Sequence, residues 1–149
     1  MAGAAELARR PARSLSYTWI SMAVAPLILI VEDDPETRRY YQRLFELDGF
    51  RIEQAHNGFQ ALEKAVAESP SLVLADIAVP GIDGIELCRR LRADHRTKAI
   101  PVLAITAYGD RHYSARAIQA GANQVLIKPC VPQMLVAEVR RLIASLAVT

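Results

Sequence analysis

The chain has 149 residues, 52% of them hydrophobic, enough for one globular domain with a real core. Its net charge of +2 comes entirely from the first 25 residues, where Arg9, Arg10 and Arg13 stand against Glu6; the remainder holds 15 basic and 15 acidic residues. That balance gives no electrostatic reason for nucleic-acid or membrane binding by the folded part. Two cysteines, Cys88 and Cys130, form no metal or redox spacing and no disulfide framework, so a reducing, cytoplasmic setting is expected.

Residues 1–25, rich in Ala, Arg and Ser, read as an N-terminal extension ahead of a domain over 26–149. A flexible arm, or translation starting at Met22, accounts for them, and the fold is expected to need nothing before that methionine. A signal-peptide pattern can be traced up to "AVA" at 23–25, but Thr18 and Ser21 interrupt its apolar middle. No stretch approaches the roughly 18 apolar residues that cross a bilayer.

From residue 27, strand and helix patterns alternate. The first strand, 27–31, is a continuous apolar run that reads as buried on both faces, and it runs straight into Glu32, Asp33 and Asp34. Like charges crowded at the mouth of a buried strand should have raised pKa values. A helix over 36–47 follows, with Tyr40, Leu44 and Leu47 on its inward face and Gly49 as its stop. Next come a strand at 51–55 and a helix at 59–68 carrying Ala61, Leu62, Ala65 and Val66. A third strand, 72–75, leads to a helix over 84–93 that buries Leu87, Cys88 and Leu91. A fourth, 101–105, leads to a short Ala-rich helix over 111–120, ended by Gly121. The last strand, 124–127, precedes a helix over 132–146 with Leu135, Val139, Leu142 and Leu146 on one stripe. Five such units predict an open parallel α/β sheet with right-handed crossovers.

Chemistry in such sheets gathers outside the carboxyl ends of the strands. Those ends carry Glu32 and Asp33, Asp76, Thr106 and Lys128. Singly, each has a plain structural explanation, and Asp34 before Pro35 reads as a helix N-cap. Together they suit a divalent cation: crowded carboxylates stay ionised beside a hard ion, and oxygen ligands suit Mg²⁺, which keeps waters and completes its shell with phosphate oxygens. A lysine and a hydroxyl would hold the remaining oxygens of a phosphoryl group. Neither GxGxxG nor GxxxxGK follows any strand, so no nucleotide cradle is present. Asp76 is the natural nucleophile, because carboxylates form aspartyl-phosphates.

"ILIVEDDPETR", "LVLADIAVPGIDGIEL", "IPVLAITAYG" and "AGANQVLIKP", in this order and spacing, resemble the receiver domain of two-component response regulators, over about residues 26–147. The resemblance implies a flavodoxin-like, doubly wound five-stranded parallel sheet of order 2-1-3-4-5 with five helices. It makes Asp76 the phosphoacceptor. Asp33 would bind Mg²⁺ directly, Glu32 through water, and the carbonyl of Ala78 would complete the protein ligands. Thr106 would hydrogen-bond a phosphoryl oxygen and Lys128 would pair with it. Pro80, Gly81 and Gly84 would shape the loop after the phosphoacceptor, and the bond before Pro129 would be cis.

Two positions depart from the family pattern: Val125 stands where an aromatic residue is usual, and Cys130 where Phe is common. The response to phosphate is therefore expected in Thr106 and residues 107–110, with Tyr108 and Tyr113 offering aromatic contacts and Val125 packing beneath the following helix. With no output domain after the last helix, the chain reads as a stand-alone receiver or a fragment that acts through protein contacts. The implied partners are a sensor histidine kinase or histidine phosphotransfer protein and a downstream protein target, with no nucleic acid and no membrane. It is expected as a monomer or a phosphorylation-dependent homodimer, catalysing only its own phosphorylation and dephosphorylation. Two alternatives stand beside this reading. A metal-dependent phosphohydrolase would need an Asp two residues after the nucleophile, where Ala78 sits. A pseudo-receiver interaction module would usually have lost the acidic pair, the phosphoacceptor or the lysine.

Overall fold

The computed structural model describes residues 24–79, 81–107 and 111–147. Expectations that fall on residues 1–23, on Pro80, on residues 108–110 and on the side chain of Leu146 lie outside the described residues. The elements are β1 (Leu27–Val31), α1 (Pro35–Leu47), β2 (Arg51–Ala55), α2 (Gly58–Glu68), β3 (Leu72–Asp76), α3 (Gly84–Ala93), β4 (Val102–Thr106), α4 (Arg111–Ala120), β5 (Gln124–Ile127) and α5 (Pro132–Ala147). All four strand pairings are parallel and the order is β2-β1-β3-β4-β5, the doubly wound, flavodoxin-like sheet expected. Among the described residues no helix is long and apolar enough to cross a membrane.

Strand alternation divides the core in two. Ile28, Ile30, Leu72, Leu74, Leu103 and Ile105 face one side, where α1 and α5 add Tyr41, Phe45, Leu135, Val139 and Leu142. Leu29, Val31, Val73, Ala75, Val102 and Ala104 face the other, against Ala61 and Ala65 of α2, Leu87, Cys88 and Leu91 of α3, and Ala117 and Ala120 of α4. Small alanines let three helices lie close to that face. The apolar strands β1 and β4 are buried along their whole length, whereas the edge strands β2 and β5 are mostly half-buried. On β2 the polar Glu53 and Gln54 meet the Lys64 ammonium, which covers part of the open edge.

Most element boundaries fall within one residue of the sequence expectation, and two of the differences bear on the site. Pro101 has no N–H, so the fourth strand starts at Val102, although the Pro101 carbonyl still accepts from Val73 N–H at 2.9 Å. Asp76 belongs to β3 itself, paired with Ile105, so the backbone of this carboxylate is held in the ladder.

The inward face of α1 is a correction. Tyr41 and Phe45 are buried, whereas Tyr40 is exposed and Leu47 is 88% exposed; of the expected stripe, Leu44 alone packs on the core, half-buried. The spacing 40, 44, 47 and the spacing 41, 45 are both helical, and Phe50, edge-on to Phe45 at 6.1 Å, selects the second. The expected face of α3 is found as read, as are Ala61, Leu62 and Ala65 on α2 and Leu135, Val139 and Leu142 on α5, whereas Val66 is half-buried outside the core cluster. Phe45→Ala should cost about 3–5 kcal/mol, as deletion of a fully buried ring does. Leu47→Ala should stay within about 0.5 kcal/mol. Urea unfolding of the two variants, with equal losses, would show that the face is wrongly assigned.

Candidate functional site

Every strand-end residue singled out from the sequence lies at the carboxyl edge of this sheet. Lys128 follows β5, and its N–H donates to the Thr106 carbonyl at 2.8 Å, which ties the last two strand ends together. The Lys128 side chain turns across the edge. Its Nζ donates to Asp76 Oδ2 at 2.8 Å and stands 3.7 Å from Glu32 Oε2. The structure thus joins Glu32, Asp76 and Lys128 directly. Thr106, buried, ends β4, the strand between β3 and β5, and is in register with Ile127. Asp33 is exposed beside Glu32. The Lys128–Pro129 bond is cis, as the resemblance implied.

Backbone donors complete the cluster. Ala78 N–H donates to Asp76 Oδ1 at 2.9 Å, and Asp34 N–H donates to Glu32 Oε1 at 3.1 Å. Glu32 is only 3% exposed, and its other oxygen, Oε2, is buried with no hydrogen-bond partner. Burial, and then the Asp76 carboxylate with which a protonated Glu32 would share its proton, push Glu32 up to about 7 from 4.5. The Asp34 amide and Lys128 oppose that rise. Burial would raise Asp76 too, but the Lys128 ammonium and the Ala78 N–H outweigh it and hold its carboxyl below the ordinary aspartate value. Lys128 shows the converse: burial would lower it, and the two carboxylates raise it.

The expected rise of the acidic run therefore holds for Glu32 and fails for Asp34. Asp34 is the N-cap of α1, accepting from Thr37 N–H at 2.9 Å and Thr37 Oγ1 at 2.5 Å, which lowers its carboxyl. A further residue was not singled out from the sequence. Arg38, one turn into α1, donates from Nη1 to the Glu32 carbonyl at 2.8 Å and the Asp33 carbonyl at 3.4 Å, and from Nε to Gln54 at 3.0 Å. It pins the backbone beneath the acidic pair. The signal available was an arginine on the first turns of the helix that the pair introduces.

Gly84 lets α3 close on the other side of the site. A Cβ there would stand 2.7 Å from Ile77 Cα and 2.9 Å from the Asp76 carbonyl oxygen, both backbone. Of the two departing positions, Val125 packs against the cluster that contains Ala117 and Ala120, beneath α4 as expected. Cys130 packs on the opposite cluster, its Sγ 3.3 Å from the Ile127 carbonyl. Tyr113 is half-buried on the core, with the Arg116 guanidinium 5.8 Å over its ring, and is not the open aromatic contact expected. Among the described residues, no three His, Cys, Asp or Glu side chains form a ready metal cage.

The chain belongs to the response regulator receiver family, whose domain model matches residues 28–140. It is 36% identical over 118 residues to the DNA-binding dual master transcriptional regulator RpaA of Synechocystis, covering 79% of this chain and 49% of that protein. The chain spans about half the length of the curated relatives it matches. Among solved structures it is similar to the signal receiver domain of a signal transduction histidine kinase from Syntrophus aciditrophicus, with 32% identity and a TM-score of 0.76, covering 81% of this chain and 92% of that one. It is also similar to the receiver domain of the sensor histidine kinase PA1611 from Pseudomonas aeruginosa PAO1, solved with a magnesium ion coordinated in its active-site cleft. That match has 28% identity and a TM-score of 0.75, covering 80% of this chain and 98% of that one.

A pH dependence follows from Glu32. Unfolded, it releases its proton near 4.5; folded, near 7. Between those values the folded chain binds more protons than the unfolded one, so stability falls as pH rises through the window. Asp76 acts in more acidic solution: its contribution is complete above the ordinary aspartate value and is lost as pH falls through its lowered one. Glu32→Gln keeps the acceptor for Asp34 N–H and removes the charge. The metal-free variant should lose the fall between about pH 4.5 and 7 and gain on the order of 1 kcal/mol at pH 8. Urea midpoints measured against pH would decide it; a parent-like slope in the variant would assign the titration elsewhere.

Proposed function

We propose that this receiver domain is a phosphoacceptor switch of a two-component system or phosphorelay, with Asp76 as the acceptor. The observation that carries this reading is the contact of Lys128 with Asp76 at 2.8 Å beside a second, buried carboxylate, Glu32, one of whose oxygens has no hydrogen-bond partner. One ammonium stands against two carboxylates, and Glu32 Oε2, 3.7 Å from Lys128 Nζ, has no hydrogen-bond partner, so a cation would let both carboxylates ionise together. The oxygen donors at hand, Glu32, Asp33, Asp76 and the Ala78 carbonyl, suit Mg²⁺, which takes one or two carboxylates directly and keeps waters for the rest. When bound, the ion neutralises carboxylate and phosphoryl oxygens. The magnesium in the PA1611 receiver domain supports the same assignment by similarity.

The chain's own residues supply the chemistry. Lys128 and the Ala78 N–H keep Asp76 ionised, so a carboxylate oxygen is available as nucleophile. It attacks the phosphorus of a phosphohistidine on a sensor kinase or phosphotransfer protein. The new O–P bond forms as the P–N bond breaks, and the imidazole keeps the electron pair. Lys128 lies within reach of a phosphoryl oxygen attached to Asp76, and the Thr106 hydroxyl is the second holder. The product is an acyl phosphate, and the altered surface around Thr106 and α4 is what a protein target reads. The chain processes no other substrate in this reading.

Incubation with Mg²⁺ and acetyl phosphate should add one phosphoryl mass to the intact protein. Asp76→Asn, or chelation of the metal, should abolish it, and equal labelling in either case would overturn the assignment. Asp33→Ala should bind Mg²⁺ about tenfold or more weakly with the fold intact. Mg²⁺ should raise the thermal midpoint of the parent by mass action and leave that of Asp33→Ala nearly unmoved. A variant that binds Mg²⁺ as well as the parent would show that the ligand set is wrong.

A further inference from the structure

Phe59, at the start of α2, is 54% exposed, an unusual setting for a phenylalanine outside the core. Its ring is nevertheless occupied. A Cβ placed on Gly81 would stand 3.1 Å from both Cδ2 and Cε2 of Phe59, so the ring lies flush on the glycine backbone, which has φ +85°. The guanidinium of Arg90, on α3, lies 5.9 Å from the ring centroid. The neighbouring Gly58 receives the next residue in the same way: a Cβ there would overlap Ile82 Cγ1 and stand 2.5 Å from the Ile82 carbonyl oxygen. Two consecutive residues of α2 thus receive two consecutive residues of the chain that follows Asp76. Arg90 also reaches Glu86 at 3.4 Å, and Glu86 N–H is capped by Asp83 at 2.9 Å, so the clasp extends into the first turn of α3.

This contact lies three residues from Ala78, whose N–H holds Asp76 Oδ1. We propose that the amino terminus of α2 is a seat that fixes the backbone at Ala78, and that Phe59 is thereby a positioning residue for the cation bound at Asp76. The inference rests on the reading of Asp76 as a Mg²⁺-dependent phosphoacceptor. Its physical basis is that a carbonyl ligand to Mg²⁺ must be placed closely, because the ion tolerates little departure from octahedral geometry. A half-exposed ring contributes modestly to global stability, so its removal should act on the site more than on the fold.

The test compares the parent with Phe59→Ala, Phe59→Tyr and Gly81→Ala. In the metal-free protein, amide hydrogen exchange at Ala78 and Val79 should quicken severalfold in Phe59→Ala and stay parent-like in Phe59→Tyr, which keeps the ring. The Mg²⁺ concentration giving half-maximal phosphorylation by acetyl phosphate should rise about three- to tenfold in Phe59→Ala. The rate at saturating Mg²⁺ should change less than twofold. Gly81→Ala should show the same shift in half-maximal Mg²⁺, and Phe59→Ala should partly relieve it, because the added methyl then loses its clash. Unchanged exchange at Ala78 would overturn the seat. Faster exchange with unchanged Mg²⁺ dependence would overturn its role in positioning the cation. A parent that takes no Mg²⁺-dependent phosphate would overturn the underlying reading and this role with it, and is told apart because the exchange difference at Ala78 would persist.

Discussion

The carboxyl edge of this sheet is organised by one ammonium between two carboxylates. Lys128 satisfies Asp76 at 2.8 Å and only approaches Glu32, at 3.7 Å. A single cation cannot balance two buried anions, and an uncompensated buried charge costs several kcal/mol. The folded chain meets this by letting Glu32 keep its proton up to about pH 7, while Asp76 stays ionised. Two chemically similar groups a few ångströms apart are thereby separated in role. One is poised to lose or keep a proton with its surroundings, and the other is fixed as an anion.

The rest of the fold serves to bring those three side chains to one edge. Parallel strands place all their carboxyl ends on the same side, and burial of β1, β3 and β4 sets the strand ends rigidly. Asp76 and Thr106 end adjacent strands inside the ladder, so neither depends on a free loop for its backbone position. Arg38 then fixes the carbonyls of the acidic pair from α1, and Gly84 allows α3 to press against the backbone of Asp76 and Ile77. The division of residue size between the two faces has a matching effect. Branched side chains fill the space under two helices, and alanines let three helices share the other face.

Much of this was legible in the sequence because it rests on short-range rules. The continuous apolar runs at 27–31 and 72–75 could only be buried parallel strands once five βα units were counted. Asp34 followed by Pro35 announced its cap. The strand-end residues were legible for the same reason, since a parallel sheet dictates where its carboxyl ends meet. What could not be read depended on contacts between distant segments. The face of α1 was ambiguous because Tyr40 and Tyr41 begin two equally good helical stripes, and only Phe50, beyond the helix, selects between them. The split in behaviour between Glu32 and Asp34 was hidden because one lies beneath the edge and the other faces water as a cap. Arg38, Phe59 and the Ala78 amide act through backbone geometry, which residue type alone does not encode.

The two departures from the family pattern bear on how a signal would leave the site. Val125 and Cys130 pack on opposite faces of the sheet, so neither position alone links the site to both layers. The backbone does make such a link. The Thr106 carbonyl accepts from Lys128 N–H at 2.8 Å, and Thr106 pairs with Ile127 in the ladder. In the proposed switch, the hydroxyl and the ammonium that hold the phosphoryl group are thus joined by one hydrogen bond between neighbouring strand ends. A shift of Thr106 toward the phosphoryl group would draw on the end of β5 directly. β5 is an edge strand whose end, Ile127, is exposed, so it has fewer packed neighbours resisting such a shift than β1 or β3. In the proposed switch, with a short branched side chain at 125, the motion offered to a partner would be that of the strand end and of α4 above it, not the swing of a ring.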